Sequence, residues 1–241
     1  MSWRSILVVV GIGIVILLAA AGAYFEGVWI PNAPDPGQYP IRGIDVSGHQ
    51  GVIQWNGVPR ASVQFVYIKA TEGQDFRDQR FVENWRGSAE AGLRRGAYHF
   101  FTLKSTGLQQ AANFTAVVPK DPDALPPVVD VELWGNSETR PSVANFQHEL
   151  SDYMGVVRAF YGREPVVYTA NDFRNYFLRD FPVKELWIRS VLTSPRISDN
   201  PPWRFWQFSE KGRVPGINGF VDQNVFHGDA GALETFIHQG R

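Results

Sequence analysis

Hydrophobic and polar positions follow three regimes along the chain. From Ser5 to Phe25 no residue is charged, and Arg4 and Glu26 bound the run. A helix of that length spans about 30 Å, one hydrocarbon core. Residues 31–40, PNAPDPGQYP, hold four prolines and read as an extended, semi-rigid spacer. Beyond Ile41, short apolar runs alternate with longer stretches of helical period. The strand candidates are Ile41–Val46, Phe65–Ala70, Gly96–Phe101, Pro127–Leu133, Val166–Thr169, Leu186–Ser190, Phe205–Phe208 and Phe220–Val225, and eight is the count of a closed β/α barrel. Phe81, Val82, Trp85, Ala89 and Leu93 mark one amphipathic helix, and Val143, Phe146, Leu150, Tyr153, Val157 and Phe160 another, each suited to covering a sheet from outside. Little helical period lies between Trp187 and Phe226. The expected fold is therefore α/β, a single distorted, partly irregular TIM-like barrel behind an N-terminal transmembrane helix. The expected organisation is a membrane segment over 1–26, a spacer over 27–40 and a catalytic domain over 41–241.

The leader reads as an uncleaved anchor on its length, while Ala21-Gly22-Ala23 offers the small-residue site of a cleaved signal. Arg4 on the amino side leaves the bulk of the chain outside the cytoplasm, periplasmic or extracellular, or secreted if the segment is cut. Lys plus Arg number 23 against 24 Asp plus Glu, with no basic run, so nucleic acid is not an expected partner. Cysteine is absent, which excludes disulfides, thiolate metal sites and a Cys nucleophile. Eight Trp suit either a dense core or a groove that stacks sugar rings. Of these, Trp55, Trp85 and Trp203 read as structural.

The most chemically informative stretch is Val128–Gly135, VVDVELWG. On a strand, Asp130 and Glu132 share one face roughly 6.6 Å apart at the backbone, with Val129, Val131 and Leu133 on the other. Two carboxylates buried side by side raise at least one pKa, giving a proton donor beside an ionised partner, the arrangement that cleaves a glycosidic bond. The plain alternative is that the acids pair with Arg or Lys at a strand end. Other strand ends are polar as well: Asp45 to Gln50, Lys69 to Glu72, Tyr98-His99, and Asp222 to Asn224, where a barrel's active face lies. Singly, Asp45 could cap a turn, Lys69 could pair with Glu72, and His99 could be a hydrogen-bonded core histidine.

These residues resemble family 25 of the glycoside hydrolases, the lysozymes or N-acetylmuramidases that cut bacterial peptidoglycan. The resemblance runs through Gly43-Ile44-Asp45-Val46-Ser47, Phe65–Gly73, Gly96-Ala97-Tyr98-His99-Phe100, Asp130-Val131-Glu132, Tyr168-Thr169, Leu186-Trp187-Ile188, Trp206-Gln207-Phe208-Ser209 and Val221-Asp222-Gln223-Asn224. It implies a distorted barrel with four groove acids, Asp45, Asp130, Glu132 and Asp222, acting on peptidoglycan glycan strands. Glu132, shielded by Trp134 and apolar neighbours, is expected to donate the proton and Asp130 to be the ionised partner. The resemblance adds attack by the sugar's own 2-acetamido group, with Asp130 orienting it; direct attack by Asp130 or an activated water stays open. Tyr98, Tyr168, Trp206 and Lys69 are expected to stack or orient saccharide. Arg189 departs from the family, which usually has Ala after the Trp-Ile pair, and is expected at the groove against an acid or a substrate carboxylate. The Asn113-Phe114-Thr115 sequon reads as chance. This reading calls for no cofactor and no metal. Its rivals are a metal-dependent hydrolase or deacetylase using Asp45, His49, His99 and Asp130, and an inactive tether between membrane and cell wall.

Overall fold

A computed structural model describes residues 2–195 and 203–239. The helix α1 (Trp3–Phe25) begins at a Ser2 N-cap and buries none of its residues. It is long and apolar enough to cross a membrane, features that a cleaved signal sequence shares. The strands β1 (Arg42–Val46), β2 (Phe65–Glu72), β4 (Arg94–Phe100), β5 (Val128–Asp130), β6 (Val166–Ala170), β7 (Leu186–Arg189), β8 (Trp203–Gly212) and β9 (Val221–Phe226) close into a barrel, since β1 pairs with both β2 and β9. A short β3 (Phe76–Arg77) folds back antiparallel on β2.

Each expected strand run corresponds to one barrel strand, with two informative differences. Strand β5 stops at Asp130 rather than Leu133, although Val131 N–H still donates to Tyr168 O. Strand β9 runs antiparallel to both neighbours, because a hairpin joins β8 directly to β9 and a parallel return needs a crossover. That hairpin is the irregular last quarter anticipated from the missing helical period.

Helices α2 (Phe81–Glu90), α3 (Gly107–Val117), α4 (Val143–Tyr161) and α5 (Asn171–Phe177) follow successive strands, and α6 (Ala230–His238) follows β9. Helix α4 buries Phe146, Leu150, Tyr153 and Val157 of the expected stripe, each a turn from the last, while Val143 is half-buried and Phe160 exposed. Helix α2 is rotated from expectation: Phe81, Asn84 and Ser88 face inward and Val82 is exposed. It ends at Glu90 because Gly92, at φ 75°, turns the chain into β4. Trp55 is buried, with its indole N–H on Asn84, and Trp85 is covered by Arg95. The Asn113 amide is buried and donates to Gly73 O and Phe76 O, so the sequon presents no free acceptor.

Alternation along the strands sorts the barrel interior into two layers. The lower layer is apolar and largely aromatic, with Phe65, Tyr67, Val128, Val166, Trp187, Phe205 and Phe226 packed over Leu233, Phe236 and Ile237 of α6. Room for it comes from missing side chains on neighbouring strands. A Cβ at Gly96 would sit 2.2 Å from the Tyr67 ring, and one at Gly43 2.4 Å from Phe65.

Residues within 28–41, most of them in the expected spacer, contact the barrel. They lie along the outer face of β8 and β9, which no helix covers. Tyr39 packs on Trp203, Trp206 and His227, Ile30 joins the same cluster, Asn32 donates to Ser190 O, and Arg42 reaches Pro34 O. The exposed apolar face of a hairpin is thereby buried, which an extended linker would leave wet.

The two-layer packing makes a direct prediction. Gly96→Ala should lower unfolding stability by about 1 to 3 kcal/mol through overpacking. Gly155→Ala, at an open position in α4 with nothing within 4 Å of the new Cβ, should leave stability unchanged or raise it. Denaturant melts of both variants check this, and equal stabilities would show that the aromatic layer yields freely.

Candidate active site

Two residues further along each strand from the aromatic layer, the same inward face becomes polar. The cleft above it has a volume of about 550 Å³ and includes Asp45, Lys69, Tyr98, Asp130, Glu132, Tyr168, Trp187 and Asp222 in its lining. All four acids singled out from sequence therefore share one cleft, with Tyr98, Tyr168 and Lys69. Trp206 does not join them. It is buried on the outer face, donates its indole N–H to Ser190 O, and packs against Tyr39 and Trp203. Trp206 and Phe208 point outward, so the inward position after Phe205 is Gln207, which meets Tyr168. Trp206 is therefore outside the cleft, whereas Trp187 is in its lining.

Local structure accounts for each acid's position. Asp45 and Asp222 are register partners across β1 and β9, and their carboxyls hydrogen-bond to each other. Trp187 Nε1 donates to Asn224 Oδ1 (3.0 Å), and Asn224 Nδ2 donates to Asp45 Oδ2 (2.8 Å). Tyr168 donates its hydroxyl to Gln207 Oε1. Asp130 ends β5, between Phe100 and Tyr168 on the flanking strands. Its Oδ1 is buried with no hydrogen-bond partner. Glu132 lies past the strand end, yet the alternation persists: Val131 is buried in the helical layer and Leu133 packs against it. Asn136 fixes this loop, donating to Glu132 O and Phe101 O and accepting from Leu103 N–H. At the opposite rim, Ser47 and Gln50 form a capping box, and Asp78 accepts from Gly48 N–H at 2.7 Å, which orders the turn carrying His49.

Clustering of carboxyls away from water controls their protonation. Burial pushes Glu132 up to about 7, against the pull of Arg189 and helped by Glu210 and Asp45. Burial also raises Asp45 to about 6, moderated by hydrogen bonds from Asn224 and Asp222. Asp222 rises well above the carboxylate range through burial and the charge of Asp45, and Asp130 does so through burial and then Glu132. Both acids of the pair are thus raised, and Asp130 is the more deeply buried. Trp134 is not the shield, being 86% exposed at the mouth; the aromatic layer below and the barrel wall desolvate the pair.

The cations near the cleft are already engaged. Lys69 pairs with Glu72 at 2.7 Å and lies over the Phe76 and Phe100 rings, so the plain reading of Lys69 holds even though it lines the cleft. Arg189 pairs with Glu210, an acid the sequence reading passed over, and its field reaches Glu132 and Asp222. His99 is a core histidine. It bonds Thr71 Oγ1 and Gln110, stacks on Tyr153, and is pushed down to about 3 by burial. Asp45, His49, His99 and Asp130 are consequently not brought together as a ligand set, and among the described residues no group of three or more His, Asp or Glu is arranged to hold a metal.

The chain is similar to known glycosidases in sequence and in fold. The sequence pattern of the family described as glycosyl hydrolases family 25 matches residues 44–217, a span that contains Asp45, Asp130 and Glu132 and stops short of Asp222. A family 25 glycosyl hydrolase structure from Bacillus anthracis is 36% identical, with a TM-score of 0.78, covering 84% of this chain and 94% of that one. The bacterial lysozyme structure from Streptomyces coelicolor is 34% identical with a TM-score of 0.73, over 83% and 98% of the two chains. Lysozyme M1 of Streptomyces globisporus is 35% identical over 210 residues, 80% of this chain and 70% of that protein.

The Arg189–Glu210 pair lies within electrostatic reach of Glu132, its two members acting with opposite signs. Arg189→Ala removes a positive field and should move the Glu132 pKa upward; Glu210→Gln removes a negative field, frees the guanidinium, and should move it downward. Carbon-13 NMR titration of the Glu132 carboxyl in both variants checks this. Shifts of the same sign, or none, would remove the pair from the electrostatics of the cleft.

Proposed function

The chain belongs to family 25 of the glycosyl hydrolases, and from that premise we propose that it cleaves the β-1,4 bond between N-acetylmuramic acid and N-acetylglucosamine in peptidoglycan, with Glu132 as general acid and Asp130 assisting. The chain is a muramidase-type glycoside hydrolase by kinship; the residue roles are our reading. The observation that carries them is the unpartnered Oδ1 of Asp130 beside a Glu132 pushed to about 7. A carboxyl with that pKa is protonated below neutrality and can donate to the leaving oxygen.

Asp130 Oδ1 lacks a donor, and the 2-acetamido N–H of a bound sugar supplies one. Hydrogen bonding to the ionised form favours it. Substrate binding therefore pulls the Asp130 pKa down, and the carboxylate then orients the acetamido oxygen toward the anomeric carbon. Asp45 and Asp222 share a proton and, through Asn224, hold the polar layer in register. Tyr98 and Tyr168, both kept neutral by burial among the acids, present hydroxyls to the saccharide. The apolar leader supports a catalytic domain held at the outer face of a membrane, with peptidoglycan as the partner it meets there.

Glu132→Gln keeps shape while removing the acid and should lower kcat by about 10² to 10⁴ with glycan binding retained. Asp130→Asn should also lower kcat, because the amide cannot carry the charge that orients the acetamido group. The pH profiles carry a second signature. The acid limb of kcat/KM reports the free enzyme, where Asp130 is raised, and that of kcat reports the complex, so the kcat limb should lie at lower pH. Both variants should melt higher than the parent at pH 8. Raised folded pKa values give stability that is present at low pH and lost as pH rises through them, and a neutral amide avoids that loss. Near-normal activity in a folded Glu132→Gln variant would overturn the assignment.

A further inference from the structure

The end of the apolar helix is bolted to the rim of the cleft. Lys211, near the tip of β8, lies 5.7 Å and 5.1 Å from the ring centroids of Tyr24 and Phe25 and 5.2 Å from that of Phe220. Arg213 donates from Nε to Glu26 O at 3.0 Å, pairs with Glu26 Oε2 at 3.3 Å, and covers the Phe220 ring. Gly27 turns the chain at φ 70°, and a Cβ there would meet Lys211 O at 2.1 Å, so the approach is one only glycine permits. The hairpin that receives the helix also carries Glu210 and Asp222 on its strands. Phe220 O accepts from Gln50, itself a residue of the cleft lining.

A flexible spacer would let the barrel tumble and reach away from its anchor. Here residues 28–41 are instead tied to the barrel at Ile30, Asn32, Pro34 and Tyr39, which shortens the free length between the span and the barrel. The junction has the composition of a membrane–water boundary, with Tyr24, Phe25, Trp29 and Phe220 beside Lys211 and Arg213. Val28 and Trp29 are 79% and 50% exposed, at the level where headgroups would meet them.

We propose that the active face of the barrel is held against the outer surface of the lipid bilayer, so that the cleft takes glycan strands lying close to the membrane. This rests on the reading of the chain as a membrane-anchored muramidase and adds the orientation of the cleft and the location of its substrate.

The absence of cysteine allows single-site labelling. Thr139→Cys places a fluorophore on the exposed loop after β5, at the active-face rim, and Ala61→Cys places one at the opposite pole, before β2. Full-length labelled protein is reconstituted in vesicles of phosphatidylethanolamine and phosphatidylglycerol containing headgroup spin-labelled lipid. Quenching should be roughly twofold or more greater at position 139 than at position 61, because the two poles stand at different depths from the bilayer surface. In the Lys211→Glu, Arg213→Glu background the difference should collapse, since the junction is then unbolted. Equal quenching, or more at position 61, overturns the orientation, as does recovery of a soluble protein beginning near Tyr24. Both labelled proteins are also scored for fragment release from purified peptidoglycan in detergent. Loss of that release counts against the muramidase reading, whereas intact release with equal quenching counts against the orientation alone.

Discussion

Four carboxyls in one water-poor cleft form the constraint around which the rest of this molecule is arranged. Their mutual repulsion would be relieved by cations, but the two that stand nearest are committed elsewhere, Lys69 to Glu72 and Arg189 to Glu210. Charge is therefore reduced by holding protons rather than by pairing. Asp45 and Asp222 share a hydrogen bond that requires a proton on one of them, and Glu132 and Asp130 are both raised. Such a cluster costs folding stability at neutral pH. The aromatic layer beneath it, closed by α6, supplies the compensating burial and at the same time the desolvation that raises the pKa values.

The irregular side of the barrel follows from the same geometry. Asp222 reaches the cleft only because β9 runs antiparallel, entering from the active face where Val221 begins. That direction requires a hairpin from β8, and a hairpin leaves no crossover helix to cover its outer surface. The segment after the apolar helix fills the gap, with Tyr39 against Trp203 and Trp206. What reads in sequence as a linker is thus part of the barrel's own packing.

Much of this was legible in the chain. The eight strand runs and the stripe on α4 follow from periodicity, and the D-x-E pair stands out because ionisable residues interrupt an apolar run. The misreadings share a physical cause. Trp206, expected to stack or orient saccharide, faces outward, because the side of the strand it takes depends on register with β7, which shifts between Leu186 and Trp187. Trp134 adjoins Glu132 in sequence yet points to solvent from a loop. Glu210 and Asn136 carry no motif at all; they matter through partners distant in sequence or through a turn that exists only once folded. Asn224 stands in the polar run that begins at Asp222, and alternation places both on the inward face.

If this cluster of acids cuts the glycan strand on the muramic acid side, the chemistry of the fragments shows it most directly. Purified peptidoglycan treated with the protein, followed by borohydride reduction and mass analysis, should yield fragments whose new reducing ends are N-acetylmuramic acid. Reducing ends of N-acetylglucosamine, or release of peptides or acetate with the glycan strands intact, would contradict the account.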